Sequence, residues 1–263
     1  MFSICIITFK KRFESLKRMI DFTRRCDQNI PIIIGINGEV DEDFDDEYRK
    51  GILNLCGSYK NIYPFFFQEF RSLAKLWNNL VIFSKTEYNF ILNDDILFDE
   101  NQNYITHLNS VLLNNKEVGI FTINGSFSHF MISKTLLDDI GYFDERFLLH
   151  GEEDGDFVFR YIERNGNYPP NLNLPIMINI HQTGTKDETT KTSNVELGYA
   201  NKPKFNQEFT LTKYKYNPGA TISGMYGRPH ERVMGDEGQY PYEKFFLKNK
   251  KNFKKFISII IEE

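Results

Sequence analysis

Cysteine is scarce in this chain. There are three, Cys5, Cys26 and Cys56, and no CxxC pair. An odd, scattered set argues against a disulfide framework or a cysteine zinc cluster, so a reducing, cytoplasmic setting is expected. Long apolar runs are missing too: none approaches the roughly 18 residues that a spanning helix needs. The opening MFSICIITFKKR carries its charges after the apolar run, not before it, and reads as a first strand rather than a signal peptide. Positive charge is not in excess. With 32 Lys and Arg against 36 Asp and Glu, the net charge is −4. No general basic field exists to hold a nucleic-acid backbone, and no nucleic-acid partner is expected. The first strand is not followed by Gly-x-Gly-x-x-Gly. Neither the P-loop phrase nor Gly-x-Ser-x-Gly occurs, which weighs against dinucleotide, P-loop and α/β-hydrolase chemistry.

What is present is apolar and strongly periodic. Hydrophobic residues make up 41% of the 263, and the aromatics include 25 Phe and 14 Tyr. That fills the core of one large α/β domain, or of one domain with an appendage. FSICIIT (2–8), IPIIIGI (30–36), IYPFFFQ (62–68) and YNFIL (88–92) read as strands, and Pro64 puts the third near an edge. Between them lie helical patterns. Phe13, Leu16, Ile20 and Thr23 share one stripe; Leu73, Leu76, Trp77, Leu80, Val81 and Ser84 share another, with Trp77 in the core. The acidic stretch at 41–47 reads as a solvated loop or helix start.

This alternation is the grammar of a mostly parallel sheet with helices on both faces. Later segments are mixed: a helix over 103–115, strands over 118–123 and 128–133, a short helix capped by Ser133, a helix over 152–165 and a strand over 175–180. From Gly184 the pattern breaks up. The expected division is a catalytic domain over 1–183 and an irregular C-terminal extension over 184–263, serving as a lid, an acceptor element or an association arm. The basic segment KFFLKNKKNFKKFISIII (244–261) has two readings, a helix packed on its own domain or a peripheral contact with an anionic membrane surface.

Ligands of such sheets bind at the carboxyl ends of the strands. Thr8, Asn37 and Asn93-Asp94-Asp95 stand there. Adjacent carboxylates repel unless a cation or donors intervene, so Asp94-Asp95 is either a hard-metal site or a turn that uses Asp for its backbone geometry. The second acidic group is Glu152-Glu153-Asp154-Gly155-Asp156 at a helix start, where the macrodipole favours acids in any case. Asp154 lines up with Val158 and Tyr161, so its carboxylate is expected to be partly desolvated and suited to general-base work. Glu153 lines up with Phe157, Arg160 and Arg164, as a structural or acceptor-binding group. His181 closes a strand and is either structural or a nitrogen ligand beside a carboxylate-bound ion. Arg71, Lys75 and Asn78 lie either on a solvated helix face or against a diphosphate.

In this order the motifs resemble those of GT-A-fold glycosyltransferases (Rossmann-like), in the style of family 2. The opening turn Thr8-Phe9-Lys10-Lys11-Arg12 stands where that group has Thr-Tyr-Asn-Arg. Asn37 takes the place of an Asp that helps hold nucleobase or ribose. Asn93-Asp94-Asp95 stands for Asp-x-Asp, with Asn93 replacing the first Asp. Gly141-Tyr142-Phe143-Asp144-Glu145-Arg146-Phe147, then Glu153-Asp154-Gly155-Asp156 with Arg160, match a later phrase. Gly151 to Asp156 also resembles the acidic acceptor motif of β-1,4-galactosyltransferases.

The resemblance implies transfer of a sugar from a nucleotide-diphosphate donor, UDP-sugar favoured, to a hydroxyl of a glycan or other acceptor, with inversion. It implies a Mn²⁺ or Mg²⁺ cofactor on Asp95 and His181, and Asp154 as base. Thr8, Phe9, Arg12, Asn37, Arg71, Asn78, Asn93 and Asp94 would bind the donor, Glu153 and Asp156 the acceptor. Two other classes use the same carboxylates: a metal-dependent hydrolase or nuclease with ions about 3.5–4 Å apart, and a non-catalytic carbohydrate-binding relative.

Overall fold

A computed structural model describes residues 1–9, 12–38, 45–115, 118–148, 150–179, 202–216 and 229–232. His181, most of the 184–263 extension and the basic 244–261 segment lie outside the described residues. The first half alternates strand and helix: β1 (Phe2–Thr8), α1 (Phe13–Cys26), β2 (Ile32–Ile36), α2 (Asp46–Gly57), β3 (Ile62–Phe66), α3 (Leu73–Phe83) and β4 (Tyr88–Asn93). β5 (Ile96–Phe98), α4 (Tyr104–Asn114), β6 (Ile120–Ile123), β7 (Ser126–Ser133), α5 (Lys134–Ile140), α6 (Glu153–Asn165), β8 (Asn171–Leu172) and β9 (Met177–Asn179) follow. Beyond them come α7 (Lys202–Lys213), β10 (Tyr214–Tyr216) and β11 (Pro229–Arg232).

Seven strands form the main sheet in the order β3-β2-β1-β4-β7-β6-β8. β3, β2, β1 and β4 run parallel, and β3 is at the edge, where Pro64 withholds no ladder donor that matters. β7 runs antiparallel to both β4 and β6. The sheet is therefore mixed, mostly parallel in its first half. β5 pairs with β9 in a separate two-stranded ribbon.

Strand alternation divides the core into two layers. Phe2, Ile4 and Ile6 of β1 point to one face, with Leu16, Met19 and Ile20 of α1, Ile52 of α2 and Leu108 of α4. Cys5 and Ile7 point to the other, with Leu76, Trp77 and Leu80 of α3 and Phe157 and Val158 of α6. β1 is buried on both faces, which explains a run with no polar alternation. Trp77 is 1% exposed and meets Phe130 edge-on at 5.1 Å, so it belongs to the core as expected. Helix starts are set by side-chain caps: Asp45 for α2, Ser72 for α3, Asn103 for α4 and Ser133 for α5. No described helix is long and apolar enough to cross a membrane.

One glycine is required by close approach. A Cβ on Gly38, just after β2, would overlap the backbone of Gln68 and Glu69. Backbone cannot swing aside as a flexible side chain can. Gly38→Ala is expected to cost ~1–3 kcal/mol through overpacking, measured by chemical denaturation.

Candidate active site

The register brings the strand ends together. Thr8 lies opposite Ile36, and Ile7 opposite Asn93. Thr8, Asn37 and Asn93-Asp94-Asp95 therefore emerge at one edge of the sheet. Asp94 and Asp95 are 3% and 6% exposed. Arg12, from the turn after β1, reaches both: its Nη1 lies 2.9 Å from Asp94 Oδ1 and 3.3 Å from Asp95 Oδ2. The ring of Phe9 sits 5.0 Å from the guanidinium carbon.

Arg12 thus serves both acids. Burial pushes the Asp94 carboxyl up to about 7, against the pull of Arg12; Asp95 adds to the rise and the Thr8 hydroxyl opposes it. Burial also works against the charge on Arg12, but Asp94 and Asp95 together outweigh it and raise the guanidinium further. His129 of β7, absent from the sequence expectations, is a further neighbour. Burial lowers its imidazole to about 4, while the charge of Asp95 pulls the other way. Its Nδ1 pairs with the Ser128 hydroxyl at 2.9 Å. The only sequence signal for it was a polar residue interrupting the apolar run of β7.

Other residues expected on the donor side also make scaffold contacts. The Asn37 amide braces the β3–α3 connection: its oxygen accepts from the Arg71 backbone N–H at 2.8 Å and its nitrogen donates to the Arg71 carbonyl at 3.0 Å. The Arg71 guanidinium pairs with Glu69 at the surface. Asn78 lies in the core. It is fully buried, and its amide binds the Phe143 backbone in both directions and Glu145 Oε1 at 2.9 Å. That locks α3 to the loop after α5, with no face left for a donor. Lys75 pairs with Glu145 at 3.0 Å. Asn93 is half-buried at the end of β4.

The second acidic group opens α6 over the same edge. Because β7 is antiparallel to β4, Ser126–His129 lie at the carboxyl end of β4. Phe127 there packs on Phe157, one turn into α6, at 6.1 Å between centroids. The chain enters α6 through Gly151 (φ 100°) and Glu152 (φ 75°). A left-handed glutamate is strained by about 1–3 kcal/mol, and strain of this kind concentrates at functional sites.

Glu153 is 3% exposed and its Oε2 has no hydrogen-bond partner among the described residues. Asp154 is half-buried and accepts from the Gly155 N–H at 2.8 Å. Burial drives Glu153 well above the usual carboxylate range, helped by the charges of Asp154 and Glu152. Burial also raises Asp154, but the Gly155 N–H and its own hold it back. Burial raises both acids, and Glu153 by more, so their environments set the two apart.

Asp156 holds the scaffold. It is fully buried, pairs with Arg160 at 3.0 Å and with Lys213 of α7, and accepts from the Tyr214 hydroxyl at 2.7 Å. Its oxygens are occupied inside the protein, so it has none to offer an acceptor.

Among the described residues no group of three or more His, Cys, Asp or Glu is arranged to hold a metal ion. The donor set that is present still fits a hard divalent ion. Mg²⁺-type sites commonly take one or two protein carboxylates and complete their shell with substrate phosphate and water. Asp94 and Asp95 are two buried carboxylates on a strand end facing one shared cationic contact. A cavity of about 940 Å³ lies elsewhere. It opens at the opposite edge of the sheet, between Met1, Tyr88, Leu112, Leu136 and Tyr161.

No protein-family model and no curated protein matches the sequence. Solved structures do match its shape. The mannosyltransferase PcManGT from Pyrobaculum calidifontis, in complex with GDP-Man and Mn²⁺, superposes with a TM-score of 0.57 at 9% identity, over 82% of this chain and 66% of that one. The fold is of the GT-A type. TarS from S. aureus matches with a TM-score of 0.50 at 11% identity, over 80% of this chain and 42% of that one. The chain thus spans less than two thirds of either neighbour. A helix-flanked, mostly parallel α/β sheet is common to the comparison and to the expectation drawn from the sequence.

Proposed function

We propose that the protein is a metal-dependent glycosyltransferase of the family 2 style, moving a sugar from a nucleotide-diphosphate donor to a hydroxyl of a glycan or other acceptor. The observation that carries this reading is the placement of two differently tuned acidic groups over one sheet edge. Asp94-Asp95 sit against Arg12 at the end of β4, and Glu153-Asp154 open α6 beside it. The shape shared with a mannosyltransferase solved with GDP-Man and Mn²⁺ supports it.

Asp95, with His181 from outside the described residues, would hold Mn²⁺ or Mg²⁺, which when bound neutralises the leaving diphosphate. Asp94, Asn93, Thr8, Phe9, Arg12 and Arg71 form the donor side; Arg12 can pass from the carboxylates to a phosphate as the donor arrives. Asp154, ionised, accepts the proton of the acceptor hydroxyl. That oxygen bonds to the anomeric carbon from the face opposite the diphosphate, and the bond to the diphosphate oxygen breaks with its electron pair. Inversion follows. Glu153, keeping its proton, hydrogen-bonds the acceptor.

The test is a thermal-shift screen of nucleotide sugars with Mn²⁺, on the wild type and on Asp95→Ala. One or more donors should stabilise the wild type, and Asp95→Ala should weaken that donor by at least ~10-fold, the effect typical of losing a metal-site group. A donor bound equally by both proteins would take Asp95 out of the metal role.

A further inference from the structure

α7 lies in the stretch expected to be an irregular extension, yet its inward face is built into the acidic loop. Asn206 is fully buried. Its amide nitrogen donates to the carbonyls of Leu148, Gly151 and His150 at 2.8, 2.8 and 3.3 Å, and its oxygen accepts from the Leu148 N–H at 2.9 Å. These are backbone groups of three residues, Leu148, His150 and Gly151, just before the left-handed Glu152. A single side chain therefore fixes the turn that launches Glu153 and Asp154. The rest of α7 is anchored nearby. Thr210 caps back onto the Asn206 carbonyl at 2.9 Å, Phe209 meets Phe147 edge-on at 5.0 Å, and Lys213 pairs with Asp144 at 2.8 Å.

We propose that Asn206 is a positioning residue for the acidic loop, so that residues 202–216 work as part of the catalytic unit and not as a separate appendage. Strain at Glu152 persists only where the surroundings over-determine it. Among the described residues, the backbone of Leu148, His150 and Gly151 is hydrogen-bonded to the Asn206 amide of α7. Asparagine suits the task because its amide both donates and accepts, in one plane, to a backbone turn. Aspartate in its place would set a carboxylate against three carbonyl oxygens.

The proposal rests on the assignment of Glu153-Asp154 as the acceptor-side acids, and two measurements separate the failure of one from the failure of the other. The first is hydrogen exchange on Asn206→Ala and the milder Asn206→Ser. Loss of several buried hydrogen bonds should raise exchange across 148–155 by ~10-fold or more, with Ser below Ala, while β1 and β4 keep wild-type protection. Unchanged exchange at 148–155, or an equal rise across β1 and β4, overturns the positioning role. The second is a carboxyl ¹³C titration of the Glu153-Asp154 pair in the same variants. A loosened loop admits water, so the pair should titrate closer to the ordinary carboxylate range. Titration identical to wild type overturns the link between Asn206 and these acids. Neither readout needs turnover, so a wrong assignment of Asp154 as base, exposed by Asp154→Asn, would leave both interpretable.

Discussion

Asp154→Asn is expected to lower turnover by ~10²–10⁴ while donor affinity stays within about twofold. The substitution keeps the size of the side chain and one oxygen to accept from the Gly155 N–H, whose bond to Asp154 is 2.8 Å. The fold at the start of α6 should therefore survive. What is lost is the ability to take a proton. The donor side, at Asp94, Asp95 and Arg12, is built from other elements, the ends of β1 and β4. The pH profile gives a second handle. Burial raises Asp154 above the ordinary aspartate range, so the acid limb of wild-type turnover should lie above that range. The limb should vanish from the residual activity of the variant. Steady-state kinetics from pH 4 to 9 (about the range needed to see the limb) checks both. Near wild-type turnover in Asp154→Asn would remove this residue from the base role.

The second large effect concerns stability. Asp156→Ala is expected to destabilise the protein by ~3–5 kcal/mol, the usual cost of removing one member of a buried ion pair. Arg160 and Lys213 are 2% and 0% exposed, and both lean on Asp156. Without it, both cations lose a buried carboxylate, while Lys213 retains Asp144 and Arg160 retains the carbonyls of Ile140, Gly141 and Tyr142. Chemical denaturation measures the loss. A variant of wild-type stability that fails only with acceptor would restore Asp156 to the site. The same network predicts acid sensitivity. Burial alone would raise Asp144, but hydrogen bonds and charge from Arg146 and Lys213 outweigh it and pull the carboxyl down to about 2. A folded value below the unfolded one means stability that is present above about 4 and is lost as pH falls through about 2. That contribution is on the order of 2 kcal/mol.

Much of the frame was readable because its signals are strong and local. β1 and β2 are short, largely apolar runs, α3 has an unbroken apolar stripe, Pro64 marks an edge and Ser133 a helix cap. The position of Asp94-Asp95 followed from strand order alone. Direction did not: periodicity identifies β7 as a strand but says nothing of its running antiparallel to β4, since both directions alternate alike. The inward face of α6 is written in charge as well as in apolar residues. Glu153, Asp156, Phe157 and Arg160 are spaced i, i+3, i+4 and i+7, a regular inward stripe, and all four are buried. Three of the four are charged, so the stripe looked polar, and the apolar line through Val158 drew attention to Asp154 instead. Charges that neutralise one another across the chain are invisible to a hydrophobic pattern. Lys213, 57 positions beyond Asp156, is the partner that makes this stripe buriable. Asn206 is hidden in the same way, since an isolated asparagine in a Lys- and Thr-rich helix carries no local mark of its backbone partners.

The central claim is that the carboxyl edge around Asp94, Asp95 and Arg12 holds a nucleoside diphosphate through a divalent ion. The most direct test is calorimetric titration of the wild-type protein with UDP and with GDP, each with Mn²⁺ and with the metal chelated. Binding of at least one of them that weakens by ~10-fold or more on chelation is the expected result. Indifference to both nucleotides under both conditions, or affinity that does not change when the metal is removed, would contradict it.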